Sequence, residues 1–179
     1  MVCFAAYGER VEDYEREIRE AQAAGIDGFA LNCGAWHDEP HYPRRAKAIY
    51  QAAKELGNGF KLFFSVDFAG LQRHPPGEFE SYVLDMVKTY GHHPNQFMVD
   101  GRTVVSTFGG EEGMAWKREI LAPLKAAGYN VFLVPFFSGQ QQFAVYRDGK
   151  AILVKDGEPI ADRIERYDYF SASGFAYAR

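Results

Sequence analysis

No apolar run in this chain approaches the roughly 18 residues that a membrane-crossing helix requires, so no segment reads as a membrane span. Cysteine is scarce. Cys3 falls in the first expected strand and Cys33 ends the second, so the two are candidate neighbours, and buried reduced thiols are the plain reading. An excess of positive charge is also missing: the formal net charge is -4, which gives no reason to expect a nucleic-acid partner. The turn after the first expected strand, Gly8-Glu9-Arg10, lacks both G-x-G-x-x-G and G-K-[ST], so nucleotide binding has little support. Val2-Cys3-Phe4-Ala5-Ala6-Tyr7 has no basic leader and is too short for a signal peptide. The chain enters a strand at residue 2, which points to Met1 as an internal methionine.

Metal and nucleophile signatures are equally thin. His92-His93 has no carboxylate or cysteine at ligand spacing, and His37 with His41 is interrupted by Pro40, which breaks a helix between them. No Ser-His-Asp or Cys-His arrangement stands out. Neither a metal nor another cofactor is expected.

What is present is the composition of a globular chain. Hydrophobic residues make up 47% of 179 residues, enough for one domain with a sizeable core, here taken as a single unit over residues 1–179. Strands and helices alternate. A strand is expected over Val2 to Tyr7. A helix follows over Val11 to Ala24, with Val11, Tyr14, Ile18 and Ala21 on one face and Gly25 as its stop. A second strand runs from Gly28 to Asn32, and a second helix from about Pro43 to a stop at Gly57. Lys61 to Asp67 is nearly continuously apolar, as a strand covered on both faces should be. Phe79, Tyr82, Val83, Met86, Val87 and Tyr90 mark a third helix.

Gln96 to Val99 and Thr103 to Phe108 flank Asp100-Gly101, a hairpin signal leading into a fourth strand. A fourth helix starts near Glu112 with a restart at Pro123 and a stop at Gly128. A fifth strand covers Asn130 to Pro135. After it the pattern changes to a β-meander, through Phe143 to Arg147 and Ala151 to Lys155, and Tyr167 to Tyr177 holds one more plausible strand.

This alternation fits either a doubly wound open sheet or part of a (β/α)8 TIM barrel. Without a phosphate-binding turn the barrel is favoured. A complete barrel takes about 250 residues. The chain is therefore read as an α/β fold, an incomplete (β/α)8 barrel of five to six strands with a meander near residues 140–160.

In such folds ligands sit at the carboxyl ends of the strands. The side chains expected there are Tyr7, Asn32, Trp36, His37, Asp38, Glu39, Ser65, Asp67, Thr107, Glu111 and Glu112. Asp67 ends an apolar strand, where a half-desolvated carboxylate suits acid, base or hydrogen-bond acceptor work. The same residue also suits a solvated loop or a turn cap. Asn32 either holds a sugar hydroxyl or closes its strand. Glu111 and Glu112 equally suit the positive end of a helix dipole. Asp27 and the His92-His93 pair belong at the opposite end. Aromatic residues are plentiful near strand ends, where their faces suit sugar rings.

Four blocks carry a family resemblance. They are Ala23-Ala24-Gly25-Ile26-Asp27-Gly28-Phe29-Ala30-Leu31-Asn32, Lys61-Leu62-Phe63-Phe64-Ser65-Val66-Asp67, His93-Pro94-Asn95-Gln96-Phe97, and Asp100-Gly101-Arg102 with Val105-Ser106-Thr107-Phe108-Gly109-Gly110-Glu111. In this order and spacing, over residues 1 to about 137, the chain resembles glycoside hydrolase family 71, the α-1,3-glucanases or mutanases.

The resemblance implies a (β/α)8 barrel that hydrolyses α-1,3-glucosidic bonds with inversion and without a metal. It places the principal acid/base carboxylates in a late Trp-Asn-Asp-x-x-Glu segment, which these residues do not contain. Asp67 and Asp38 are then the candidate catalytic carboxylates within the chain. Tyr7, Asn32, Trp36, His37, Ser65, Thr107 and Glu111 are the candidate substrate contacts. The resulting expectation is a family 71-like glucanase fragment that is inactive alone, with α-1,3-glucan or a related polysaccharide as its partner. It would be extracellular if a signal peptide lies upstream. Two rivals stand beside it: a carbohydrate-binding or structural half-barrel without catalysis, and a barrel acting on α-mannosides.

Overall fold

A computed structural model of the chain describes residues 9–67, 81–106 and 121–134, together with the backbone of 78–80, 107–108, 142–147, 150–155 and 158–159. The expected strand Val2 to Tyr7, the first part of the fourth helix and the tail lie outside the described residues. So do Cys3, Tyr7, Glu111 and Glu112.

The helices form where the apolar spacing places them. α1 (Val11–Ala23) buries Tyr14, Ile18 and Ala21 on one stripe. Gly25 ends it at φ 78°, with its N–H donating to the Gln22 carbonyl and that of Ile26 to the Ala21 carbonyl, each at 2.9 Å. This Schellman closure needs a residue at positive φ, and glycine adopts it without a steric penalty. α2 (His41–Leu56) begins two residues before Pro43. Pro43 is tolerated in the first turn because the N–H it lacks would have had no intrahelical partner. Gly57 at φ 59° stops it as expected. α3 (Glu78–Tyr90) buries Tyr82, Val83, Met86, Val87 and Tyr90.

Four parallel strands stand side by side in chain order. β1 (Gly28–Cys33) pairs with β2 (Lys61–Asp67), β2 with β4 (Arg102–Phe108), and β4 with β5 (Val131–Val134). The short β3 (Met98–Val99) is antiparallel to β4 through the Asp100-Gly101 turn. Both turn residues take positive φ, 50° and 71°, the geometry that Asp-Gly accommodates in a two-residue hairpin. The parallel strands never reverse their order, as a doubly wound sheet must at its switch point. Sequential neighbours are the arrangement of an arc of a (β/α)8 barrel.

Ahead of β5, α4 (Ala122–Ala126) carries Pro123 in its first turn, where the restart was expected. The meander is present as a separate antiparallel sheet, β6 (Gln142–Arg147), β7 (Lys150–Lys155) and β8 (Glu158–Pro159).

The two faces of the parallel sheet differ in chemistry. Phe29, Leu31 and Cys33 register with Leu62, Phe64 and Val66, and with Val105 and Leu133 they join the helix side chains in one apolar cluster. The opposite face has an apolar layer, Ala30 beside Phe63 and Val104 beside Phe132, nearer the start of the strands. Its polar residues come at the strand ends.

At the amino-terminal end of the strands, buried amides replace missing ladder bonds. Asn95 Nδ2 donates to the carbonyls of Phe60 (2.9 Å) and Ala53 (3.2 Å). Gln96 Nε2 donates to those of Val104 (3.1 Å) and Phe97 (3.2 Å). Tyr50 donates its hydroxyl to Gln96 Oε1 at 2.6 Å. These bonds tie the entry of β3 to its neighbours where the pairing changes from parallel to antiparallel.

Candidate active site

Register builds the site. Asn32 pairs with Ser65, and Ser65 with Ser106, so three polar residues form a row across β1, β2 and β4 at the carboxyl end of the strands. Ser65 is 3% and Ser106 6% exposed. Asp67 lies two residues beyond Ser65 on the same face, and Asn32 Nδ2 donates to its Oδ2 at 3.0 Å. The other amide atom, Asn32 Oδ1, is buried with no hydrogen-bond partner among the described residues. A buried acceptor left unmet costs about 1–3 kcal/mol, and such costs tend to be kept where function requires them.

Alternation of β4 puts Ser106, not Thr107, in the row: Thr107 is registered against Val66. Two adjacent hydroxyl residues leave the parity of that strand open in the sequence, and only the register resolves it. Ser106 is the residue that sequence reasoning missed.

The loop from β1 to α2 forms a second cluster. Trp36 is 2% exposed, its ring edge-on to Phe64 at 5.5 Å, and its Nε1 donates to Asp85 Oδ2 on α3 at 2.7 Å. Trp36 is therefore packed as core and presents no open face for stacking on a sugar, in contrast to its expected role. His37 Nε2 stands 3.6 Å from the same carboxylate oxygen, and its ring meets Tyr82 edge-on at 4.8 Å. The Tyr82 hydroxyl donates to Asp38 Oδ2 at 2.6 Å. The structure thus joins Asn32, Ser65 and Asp67 in one group, and Trp36, His37 and Asp38 in another. Tyr82 and Asp85 connect the second group to α3.

Cys33 is free and buried, and burial pushes its thiol well up, which makes it inert as a nucleophile. Burial also raises Tyr42, with Glu39 adding to the effect. Asp27 precedes β1 and His92-His93 precedes β3, so both lie at the end away from the polar row. His93 is held below the ordinary histidine range, first by burial and then by Lys54. Among the described residues no group of three or more His, Cys, Asp or Glu side chains is placed to hold a metal ion. Among them, too, no helix is long and apolar enough to cross a membrane.

Chemically, the Asn32–Asp67 pair offers an oriented carboxylate beside two serine hydroxyls, above an apolar floor. That combination suits a polyhydroxylated ligand with apolar C–H faces.

The chain is 34% identical over 149 residues to the glucan endo-1,3-alpha-glucosidase agn1 of Schizosaccharomyces pombe, covering 78% of this chain and 33% of that protein. It is 35% identical over 102 residues to a mutanase of Penicillium rubens, covering 57% of this chain and 21% of the mutanase. The chain thus spans about a third or less of these relatives.

Among solved structures, a glycoside hydrolase-like protein aligns with TM-score 0.57 at 15% identity, over 72% of this chain and 44% of that one. The GH99 endo-alpha-mannosidase of Bacteroides thetaiotaomicron, in complex with bis-tris-propane, aligns with TM-score 0.58 at 14% identity, over 92% of this chain and 45% of the other. At such identities the likeness concerns the fold alone, and it agrees with the barrel arc. Residues 1–138 match glycosyl hydrolase family 71, and the chain belongs to that family.

Proposed function

We propose that this chain binds α-1,3-glucan at the carboxyl end of its parallel strands and takes part there in hydrolysis of the α-1,3-glucosidic bond. The observation that carries the reading is the Asn32–Asp67 pair beside the Asn32, Ser65 and Ser106 row, in a chain that belongs to family 71. Asp67 accepts hydrogen bonds from sugar hydroxyls, and Asn32 fixes the carboxylate. Ser65 and Ser106, both buried, supply the polar row on which this pair stands, and Asp38 contributes from the adjoining loop. Tyr7 and Glu111 are further contacts nominated by the sequence, whereas Thr107, registered against Val66, gives its place to Ser106.

Hydrolysis with inversion needs two carboxyl groups roughly 6.5–9.5 Å apart. One protonates the glycosidic oxygen as its bond to the anomeric carbon breaks. The other takes a proton from the water that attacks the opposite face. Asp67 and Asp38 are the candidate carboxylates for such roles among the described residues. The Trp-Asn-Asp-x-x-Glu segment to which the resemblance assigns the principal pair is not among these residues. The proposed behaviour of the 179-residue chain is therefore binding without appreciable turnover.

Calorimetric titration with α-1,3-linked gluco-oligosaccharides and with α-manno-oligosaccharides, alongside a reducing-end assay, tests this. The gluco ligand should bind, and Asp67→Ala should weaken it about tenfold, the equivalent of losing one charge-assisted hydrogen bond. No binding, or a preference for the manno ligand, overturns the reading. Robust turnover removes the claim of inactivity.

A further inference from the structure

Three consecutive loop residues are gripped by two side chains that lie three positions apart on α3. Asp85 receives the Trp36 indole N–H and faces His37, while Tyr82 reaches Asp38. Residues i and i+3 share a helix face, so the grip comes from a single stripe of α3. Tyr82 is 1% exposed, and a buried phenol needs a partner for its hydroxyl. Its partner is the carboxylate of an exposed loop residue, at the short distance of a charge-assisted bond.

We propose that Tyr82 and Asp85 are positioning residues that hold the β1–α2 loop, and Asp38 within it, for saccharide binding. The inference rests on the saccharide site described above. α3 follows β2, the strand that carries Asp67, so the βα unit that presents one candidate carboxylate also holds the other. Burying the loop would need only the packing of Trp36 on Phe64. The two polar grips add orientation: they immobilise the loop before a ligand arrives, and pre-organisation of this kind lowers the entropic cost of binding.

A cycle of four proteins tests it: the wild-type chain, Tyr82→Phe, Asp38→Ala and the double variant, each titrated with an α-1,3-linked gluco-oligosaccharide. Tyr82→Phe should weaken binding several-fold in the wild-type background and have no effect once Asp38 is alanine, because Tyr82 acts through Asp38. Asp85→Asn keeps an oxygen acceptor for the indole and should bind better than Asp85→Ala. The indole N–H resonance of Trp36 reports whether the loop stays docked in each protein. Asp38→Ala takes the carboxylate from the buried Tyr82 hydroxyl while Tyr82→Phe removes that hydroxyl, so Tyr82→Phe and the double variant stay interpretable if Asp38→Ala is destabilised. Losses that multiply in the double variant, or wild-type affinity in both Asp38→Ala and Tyr82→Phe, overturn the inference while leaving the saccharide site standing. A wild-type chain that binds no gluco-oligosaccharide overturns the site itself, and the inference falls with it.

Discussion

Replacing Tyr50 with phenylalanine isolates one buried hydrogen bond with little other change. The Tyr50 hydroxyl donates to Gln96 Oε1 at 2.6 Å, and the two residues are 1% and 2% exposed. The Gln96 amide nitrogen is committed to the Val104 and Phe97 carbonyls, so the side chain cannot turn to present a donor elsewhere without breaking those bonds. The phenylalanine ring keeps the contacts of the tyrosine ring, stacked on Tyr90 at 4.3 Å and tilted against Phe64 at 5.8 Å. The perturbation is therefore one orphaned amide oxygen, at about 2 kcal/mol.

For a chain of this length that corresponds to a fall of about 4–8 °C in melting temperature. Urea unfolding followed by circular dichroism should show a lower midpoint with an unchanged slope. Introduced into a Gln96→Leu background, Tyr50→Phe should cost nothing or stabilise, because the hydroxyl then has no acceptor to lose. A loss below about 0.5 kcal/mol in the wild-type background, small beside the ordinary cost of an unmet buried acceptor, would refute the argument.

Other outcomes follow from the same geometry. A Cβ at Gly28 would sit 2.4 Å from the Lys61 carbonyl oxygen, which is backbone and cannot swing away. Gly28→Ala should therefore part the first rung of β1 and β2 and lower stability by about 2 kcal/mol, read as a shift in urea midpoint; an unshifted midpoint contradicts the register.

Burial pushes Tyr14 and Tyr90 up to about 12, against about 10 in the unfolded chain. Their contribution is complete below about pH 10 and is lost as pH rises from there towards 12, because the unfolded chain gives up its protons first. Urea midpoints at pH 8 and pH 11 should differ in that direction. His93 has its histidine pKa lowered, and its Nδ1 accepts the Asn95 N–H at 3.2 Å. Stability should accordingly fall as pH drops through about 6.5, where the unfolded histidine gains its proton, and an NMR titration should place the folded midpoint lower.

Local signals were legible wherever one residue decides the backbone. Gly25, Gly57 and Gly128 stop their helices at positive φ, and Asp100-Gly101 turns its hairpin, because few other residues take those conformations at low cost. Asn32 and Asp67 were legible as strand-end polar residues, and the structure joins them by a hydrogen bond. The identity of the third row member was not. Ser106 and Thr107 are neighbours of similar chemistry, and a one-residue change in register exchanges their faces. Trp36 misled for a different reason. A tryptophan in a polar loop suits a sugar platform as well as a core anchor, and the choice depends on Asp85, 49 positions away on another helix. The start of α2 before Pro43 shows the same limit on a smaller scale, since proline is compatible with several first-turn positions.

The Asp100-Gly101 turn has a practical use. Both residues are exposed, and the turn opens into the first residue of β4, so it lies at the end of the sheet remote from Asn32 and Asp67. A dye, an affinity tag or a short inserted peptide placed there would project away from the ligand end. Surface immobilisation through that turn would leave the mouth facing solution, so the proposed polysaccharide binding could be tested on a sensor chip with every molecule in the same orientation.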